Sequence, residues 1–339
     1  RYIIDRLVPE DIALQPAGDP DANGNGIGIR PAGRSHYPYA SGAVMDALIT
    51  SGTPDKLAET GPTNVFGRKY KDIIQDMVDS YAFGQYDYGA NKGGWRYNWN
   101  QGPDNSAAQW GAIGLMPAED NFGATVPAWV KSENLAWLAY SQYYTGYAPS
   151  LYYYGAFGYT YKGTGVATTS SGMVQLAFDE IPVSDGRWQA GETYLGRNWS
   201  SFFTSGADYY AMFAFAKAMR QAVPNPVVNL CDGSSLCPSI DWYNDATNGF
   251  ARRLVDRQNA DGSWSGGNRY YISKPLATPW SILILSKSLF EAGSPVAVAD
   301  AIPNPAVAGQ TITLDGSASF HQDATKTIVL WEWDLDIDG

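Results

Sequence analysis

The chain has 339 residues, and its 23 Lys and Arg against 34 Asp and Glu give a formal net charge of −11. Proteins bind nucleic acids through clustered Lys and Arg, and no such cluster occurs, so a nucleic-acid partner is not expected. No apolar run is long enough to cross a bilayer, which argues against membrane insertion. The acidic balance fits a secreted surface instead.

Four pairs of segments follow one another along the chain, and each pair repeats the same pattern. The first member is amphipathic, a turn rich in Gly and aromatic residues follows, and the second member is rich in Ala, Ser and other small residues. In the first segment, Ile73, Ile74, Met77, Val78 and Tyr81 recur at the spacing of one helical face. Helices are therefore predicted in the pairs 67–84 with 105–116, 126–146 with 166–178, 186–203 with 205–223, and 240–258 with 278–293.

An opening half-unit, residues 24–52, carries the same turn and a small-residue helix. Small-residue helices suit an inner ring that is buried on several sides, whereas charged first members suit an outer ring in contact with water. The chain is therefore predicted to be mainly α, an α/α toroid of about five to six helical hairpins.

Two stretches carry a family resemblance. The sequence "QNADGSW", residues 258–264, resembles the QW motif of the terpene cyclase/protein prenyltransferase superfamily, and "DNSAAQWGAIGL", residues 104–115, resembles the start of an inner helix there. The resemblance covers residues 1–292 and implies the same toroid, with the tryptophan packing back over its hairpin. The earlier turns, "NKGGWRY" and "GAFGYTY", keep the Gly and aromatic residues but lose the Gln spacing.

The composition changes after residue 292. Residues 293–339 alternate Val and Thr with turn residues, and "AGQTITLDGSASF" with "LWEWDLDIDG" resembles a polycystic-kidney-disease (PKD) domain. This resemblance implies a partial Ig-like β-sandwich and an extracellular or cell-surface prokaryotic protein. Cys231 and Cys237 point the same way, because a short Gly- and Ser-rich loop without His favours a local disulfide over a zinc site.

The catalytic signatures of the resembled superfamily are missing. Class II terpene cyclases use a DxDD cluster, and the Asp-x-Asp series here, at 19–21 and 334–338, fall outside the predicted toroid cavity. Neither His36 nor His321 pairs with a cysteine as zinc requires, and no Cys-Gly-Glu-Gln thioester stretch occurs. No zinc and no nucleotide are expected, and enzymatic activity is left uncertain, leaning towards none.

A polysaccharide hydrolase or lyase is the main alternative, because such enzymes use two carboxylates on either side of the sugar bond. The weak candidates are carboxylates of the predicted inner helices, namely Asp46, Asp104, Asp208, Glu119 and Asp120. Helix capping is the competing role for Asp104 and Asp208. For Asp46, the competing role is that of an ordinary, satisfied helix residue.

Aromatic side chains are the most visible candidates for ligand binding. Flat rings beside Asn and Arg suit stacking on sugar faces, although burial as hairpin-locking core residues is the competing interpretation for Trp95 and Trp264. The candidates are Trp95, Tyr97, Trp99, Trp264, Tyr270 and Tyr271.

The segment "GDPDANGNGIG" resembles the start of an EF-hand calcium loop. Position twelve is Arg30 instead of Glu, so a looser Ca²⁺ loop is predicted, with an ordinary polar turn as the alternative. Its candidate ligands are Asp19, Asp21, Asn23 and Asn25. Separately, "NWS" makes Asn198 an N-glycosylation sequon.

Together these features favour a secreted or cell-surface toroid and PKD protein that acts in binding or extracellular assembly rather than catalysis. Glycans or copies of the protein itself are the expected partners. A carbohydrate-active enzyme is the alternative, hydrophobic-ligand binding in the toroid hollow is a further one, and a terpenoid cyclase is the weakest.

Overall fold

A computed structural model gives the architecture of the chain. It describes residues 1–33, 35–204, 206–231, 237, 239–266, 272–286, 295–296, 300–303, 306–307, 309–317, 319–321 and 327–331. These residues are mainly helical, which confirms the expected class. The helices are α1 (Tyr37–Ile49), α2 (Tyr70–Gly84), α3 (Asn105–Phe122), α4 (Ala128–Ser141), α5 (Val166–Phe178), α6 (Gly186–Arg197), α7 (Tyr209–Arg220), α8 (Phe250–Val255) and α9 (Lys274–Leu285).

A β-hairpin precedes the helices and lies against α2. Strands β1 (Leu7–Asp11) and β2 (Ile27–Pro31) pair antiparallel, with Leu7 opposite Pro31. Gly28 lies directly on Ser80 of α2, where a Cβ atom would meet the serine side chain. Glu10 accepts bonds from Ser80 Oγ at 2.8 Å and Trp99 Nε1 at 2.7 Å, so one carboxylate joins the hairpin to the helices.

The odd-numbered helices form a continuous inner row. Helix α1 packs on α3, α3 on α5, α5 on α7 and α7 on α9, whereas α2, α4, α6 and α8 pack on the outside of this row. Almost every residue of α3, α5 and α7 is buried. The four outer–inner pairs and the opening helix correspond to the segments predicted from the sequence.

Small residues allow the inner helices to approach closely. Gly42 of α1 lies on the backbone of Trp110 in α3, where any Cβ atom would clash. Gly114, one turn further along α3, would bring a Cβ within 3.1 Å of the Gly42 Cα. The small residues of these helices are therefore required by helix–helix contact, since a larger side chain at either position would force α1 and α3 apart.

The inner row bends back on itself. Lys217 near the end of α7 donates to Asp46 Oδ1 of α1 at 2.9 Å, and the lysine side chain is only 2% exposed. Near the N-terminal end of α7, the Tyr210 hydroxyl donates to the Ser106 carbonyl at the start of α3, at 2.9 Å. Helix α7 therefore reaches helices that precede it by two and three inner positions.

The Gly and aromatic turns lock each outer helix to its inner partner. Trp95, after α2, is fully buried, donates Nε1 to the Tyr81 carbonyl at 2.8 Å and lies over Gly111 of α3. Gln85, at the end of α2, donates to Gly93 O at 2.8 Å and to Val130 O of α4 at 2.9 Å. One amide thus closes its own turn and docks the next outer helix.

The same arrangement recurs after α4. Gln142 donates to Gly155 O at 3.4 Å and to Arg187 O of α6 at 2.9 Å, and Phe157 packs on Gly172 of α5.

It recurs again after α8. Gln258 donates to Gly262 O at 2.9 Å, and the buried Trp264 donates Nε1 to Leu254 O at 2.8 Å. The earlier turns lose the spacing of the QW motif, as expected from the sequence, but they keep its glutamine. The glutamine is present at the helix end in all three turns, and only the number of residues between it and the aromatic ring varies.

Helix α8 is shorter than its amphipathic segment predicts. Asp241 Oδ1 accepts from the Tyr243 and Asn244 amides, and Asp245 Oδ1 accepts from those of Thr247 and Asn248. Aspartate side chains that bond nearby backbone amides compete with helix formation, and two such turns in succession delay the helix until Phe250.

The segment after α9 forms short strands. Strand β5 (Pro295–Val296) pairs with β8 (Phe320–His321), and β6 (Asp300–Ile302) pairs with β7 (Thr313–Asp315), both antiparallel. Further back, β3 (Asn229–Leu230) pairs with β4 (Ile240–Asp241), and the expected disulfide joins Cys231 to Cys237, with 5.4 Å between Cα atoms. The "DLDID" series at 334–338 lies outside the described residues.

The glutamine contact generates a prediction about stability. Gln85→Met keeps the side-chain volume but removes two buried hydrogen bonds, each worth about 1 kcal/mol, and leaves the Val130 carbonyl without its side-chain donor. We expect the free energy of unfolding to fall by about 2 kcal/mol in urea denaturation. Gln258→Met is the matched control, because Gln258 is exposed, and its effect should stay within about 0.5 kcal/mol. Equal losses in both variants would contradict a role for burial and interhelix docking.

Candidate functional site

The candidate site is a cavity of about 580 Å³ between the first and last inner helices. We call it the mouth cavity. It opens beside the N-terminal halves of α1, α3, α7 and α9, which the parallel course of the inner helices brings to one side. The described residues that line it are Ser35, His36, Tyr39, Ala40, Ala43, Ser106, Trp110, Tyr210, Ile272, Leu276 and Trp280.

Three hydroxyl groups meet at the base of the mouth cavity. The Tyr39 hydroxyl lies 2.5 Å from Ser106 Oγ, and the Tyr210 hydroxyl lies 3.0 Å from the same atom. Burial raises the pKa of both tyrosines above the ordinary value, so both remain protonated at neutral pH. The base therefore presents neutral hydroxyl groups held in fixed positions.

An aromatic wall rises from these hydroxyls. Trp280 of α9 stacks on Phe213 with ring centroids 5.8 Å apart and meets Tyr210 edge-on at 5.7 Å. Trp110 also stacks on Phe213, at 5.9 Å. Phe213 thus contacts two indoles, and the half-buried Trp280 has accessible surface in the cavity.

The wall is uncharged. None of the described lining residues is Asp, Glu, Lys or Arg. The nearest acidic group that the structure connects to it is Asp104, which is fully buried. Asp104 Oδ1 accepts from the Ala107 amide at 2.8 Å, capping α3, and Oδ2 lies 3.6 Å from Arg96 Nε. Burial raises the pKa of Asp104, although the helix cap, Tyr159 and Arg96 oppose the shift.

The carboxylates that were candidates for catalysis are engaged in structural contacts. Asp46 is paired with Lys217 at 2.9 Å, away from the helix starts that form the mouth cavity. Asp104 and Asp208 cap α3 and α7, which is the competing role expected from the sequence, and Asp208 Oδ1 accepts from the Ala211 amide at 3.0 Å. Glu119 is paired with Lys131 at 2.7 Å. None of these residues lines the mouth cavity.

The predicted sugar-stacking aromatics mostly lie elsewhere. Trp95 and Trp264 are 0% and 3% exposed, so protein covers their ring faces and they hold hairpins together instead. Trp99 packs on Gly84 and donates to Glu10. Tyr97 lies beside His36 at the rim, with ring centroids 4.8 Å apart. Tyr270 and Tyr271 lie outside the described residues.

Sequence reasoning missed the rings that form the wall. Tyr39, Trp110, Tyr210 and Trp280 each stand in the first two turns of an inner helix that is otherwise rich in small residues. Because parallel helices bring their first turns to one side, an aromatic residue at that position in several small-residue helices was the available signal. It would have pointed to a shared aromatic wall.

The predicted calcium loop lies on α2. Asn23 and Asn25 donate their amides to Asp76 Oδ1 at 2.7 and 3.0 Å. Asp21 accepts from the loop amides of Gly24, Asn25 and Gly26, and the exposed Asp19 accepts from the Asp21 amide. Within the described residues, no three His, Cys, Asp or Glu side chains are grouped so as to hold a metal ion.

The remaining sequence features are placed as follows. Asn198 of the sequon is half-buried, and its Nδ2 donates to Tyr194 O at 2.8 Å. In the part of the chain that the structure describes, no helix combines the length and hydrophobicity needed to cross a bilayer.

Comparison with known proteins gives no relative. No family model matches the chain, and neither the curated proteins nor the solved structures contain a match.

The cap at Asp104 generates a pH prediction. Asp104→Asn keeps an acceptor for the Ala107 amide but carries no charge. Because burial raises the pKa of Asp104 in the folded state, ionisation of this carboxyl weakens the fold as pH rises through that pKa. We expect the stability of the Asn variant relative to the native chain to increase from acidic to neutral pH in urea denaturation. Asp104→Ala removes the same carboxyl and also loses the cap, so it should follow the same pH trend about 1 kcal/mol below the Asn variant. A pH-independent effect of Asn would contradict the assignment.

Proposed function

We propose that the protein acts outside the cell as a binding protein, and that the mouth cavity of an open α/α toroid takes a neutral carbohydrate. The observation that carries this proposal is the composition of the cavity. Aromatic and aliphatic surface stands beside fixed hydroxyl groups, without a charged side chain among the described lining residues. Sugar rings present apolar C–H faces and a rim of hydroxyls, and such a wall complements both.

The toroid part of the proposal rests on the order of helix packing. Inner and outer helices alternate along the chain, and the inner row returns so that α7 contacts α1. The repeated glutamine and aromatic turns, together with the resemblance to the QW-motif superfamily, support the same architecture. Five inner helices with the mouth cavity between α1 and α9 fit a ring that stays open at this point.

Trp280 and the hydroxyl cluster have separate roles in the proposed complex. Trp280 is the stacking surface, because its indole borders the cavity and is held in place by Phe213 and Tyr210. Tyr39 and Ser106 orient hydroxyl groups of the sugar. A neutral ligand is favoured since an anionic glycan would find no cation on the described wall and would be repelled by the net charge of −11.

Extracellular location is supported by two features. The Cys231–Cys237 disulfide is typical of oxidising compartments, and the short antiparallel strands after α9 accompany the resemblance to a PKD domain. A carbohydrate-active enzyme is less well supported, because it requires two carboxylates facing the substrate. The candidates for that role cap helices or pair with lysine.

Filling the mouth cavity tests the proposal. Ala43 of α1 is exposed and lines the cavity, so Ala43→Trp should block it without disturbing the core. We expect binding to a glycan found on an array of neutral and acidic glycans to weaken about tenfold or more in calorimetry. Ala47→Trp is the matched control, since Ala47 is exposed one turn further along α1 and does not line the cavity.

Two results would overturn the proposal. One is the absence of any glycan signal for the native chain, and the other is equal binding by the two tryptophan variants. Shortened products after prolonged incubation with the bound glycan would instead favour the enzyme. Copies binding to one another without a glycan, measured by sedimentation, would favour assembly.

A further inference from the structure

The loop between β1 and β2 is held against α2 by carboxylates that face it. Asp76 Oδ1 receives the side-chain amides of Asn23 and Asn25, and Asp79 Oδ1 receives the backbone amide of Ala22 at 3.3 Å. Both aspartates are 0% exposed, although the loop itself is largely exposed. A polar loop thus covers two buried carboxylates three residues apart on one helix.

Charge at this contact is unbalanced. Arg68 donates to Asp76 Oδ2 at 2.5 Å. Among the described residues, it is the cation that forms a salt bridge with these carboxylates. Asp21 of the loop, Asp76 and Asp79 carry three formal negative charges against this single positive charge. The difference is two, which is the charge of one divalent cation. Uncompensated buried carboxylates are strongly unfavourable, and a bound divalent cation would offset this charge.

The hydrogen bonding of Asp79 is a second, independent observation at this contact. Its Oδ1 accepts from Ala22 and from Gln75 Nε2 at 2.9 Å, whereas Oδ2 is buried without a hydrogen-bond partner among the described residues. Both oxygens belong to one carboxylate that faces the loop. Buried acceptors are almost always paired. An acceptor oxygen without a donor at this contact therefore points to a bound cation.

We propose that a Ca²⁺ ion binds between this loop and α2, with Asp79 and Asp76 as carboxylate ligands and Asn23 and Asn25 as amide ligands. Both asparagines now turn the amide nitrogen towards Asp76, and half a turn about the terminal side-chain bond presents the amide oxygen instead. The set contains two carboxylates, which is consistent with the finding that no three His, Cys, Asp or Glu side chains of the described residues are grouped so as to hold a metal ion.

The donor atoms favour calcium over other metals. All are oxygens from carboxylates and amides, with no imidazole or thiolate among them, which disfavours zinc and copper. Ca²⁺ accepts six to eight oxygens in irregular geometry, whereas Mg²⁺ requires a near-ideal octahedron. Of the ligands expected from the sequence, Asn23 and Asn25 are retained. Asp19 is exposed and Asp21 accepts from amides of its own loop, so two aspartates of α2 take their place.

Thermal unfolding of the whole chain tests the site. After chelation, we expect added Ca²⁺ at about 0.1–1 mM to raise the unfolding temperature by several degrees, and Mg²⁺ at the same concentration to raise it much less. Asp79→Asn should be at least as stable as the native chain in chelator, because it removes an unpaired buried charge, yet it should no longer respond to Ca²⁺. This combination separates a metal ligand from a residue needed only for folding.

Asp72→Asn is the matched control, since Asp72 is exposed on α2 one turn before Asp76 and should keep the full Ca²⁺ response. The inference is overturned if Ca²⁺ leaves the native unfolding temperature unchanged, or if Asp79→Asn responds as strongly as the native chain. Calorimetric titration with Ca²⁺ should show one site in the native chain and none in Asp79→Asn.

Discussion

The buried glutamine at the end of an outer helix is the contact on which the helical architecture depends. Gln85 and Gln142 each donate to a glycine carbonyl in their own turn and to the first turn of the next outer helix. The accepting glycines, Gly93 and Gly155, have positive φ angles and lie so close to the next helix that any side chain would clash. One side chain therefore closes a hairpin and docks it on the next outer helix.

Curvature of the inner row explains why the cavity lies where it does. Lys217 and Asp46 join α7 to α1 towards the C-terminal ends of these helices. Near the N-terminal ends, the space between α1 and α9 is bordered by rings and hydroxyls rather than filled by packed side chains. An ion pair with a nearly buried lysine on one side and an open aromatic wall on the other give the helical layer two unlike sides. Binding on the open side would leave the ion pair and the outer helices undisturbed.

The sequence predicted the order of the helices because the pattern of a helix depends on residues that are close together in the chain. The repeated pattern located all four pairs, although α4 ends at Ser141 rather than 146 and α6 at Arg197 rather than 203. The shortening of α8 was not predictable from periodicity, since Asp241 and Asp245 act through side-chain bonds to the backbone. The equivalence of Gln85 and Gln258 was hidden because different loop lengths separate each from its tryptophan. Membership of the aromatic wall was also hidden, since Tyr39 and Trp280 come together only through the curvature of the whole row.

The aspartates of this chain differ in whether the fold provides partners for their carboxylate oxygens. Asp104 and Asp208 cap helices, and Asp46 pairs with a buried lysine, so each has a structural partner. Sequence alone could not rank these residues against Asp79, which stands within an amphipathic helix. Only the three-dimensional contact shows that Asp79 is buried with an oxygen that no described donor reaches. A carboxylate that caps a helix or pairs with a lysine is already engaged by the fold. Asp79 Oδ2, in contrast, has no hydrogen-bond partner among the described residues. For this reason we propose cation binding at the loop on α2 and carbohydrate binding at the uncharged mouth cavity.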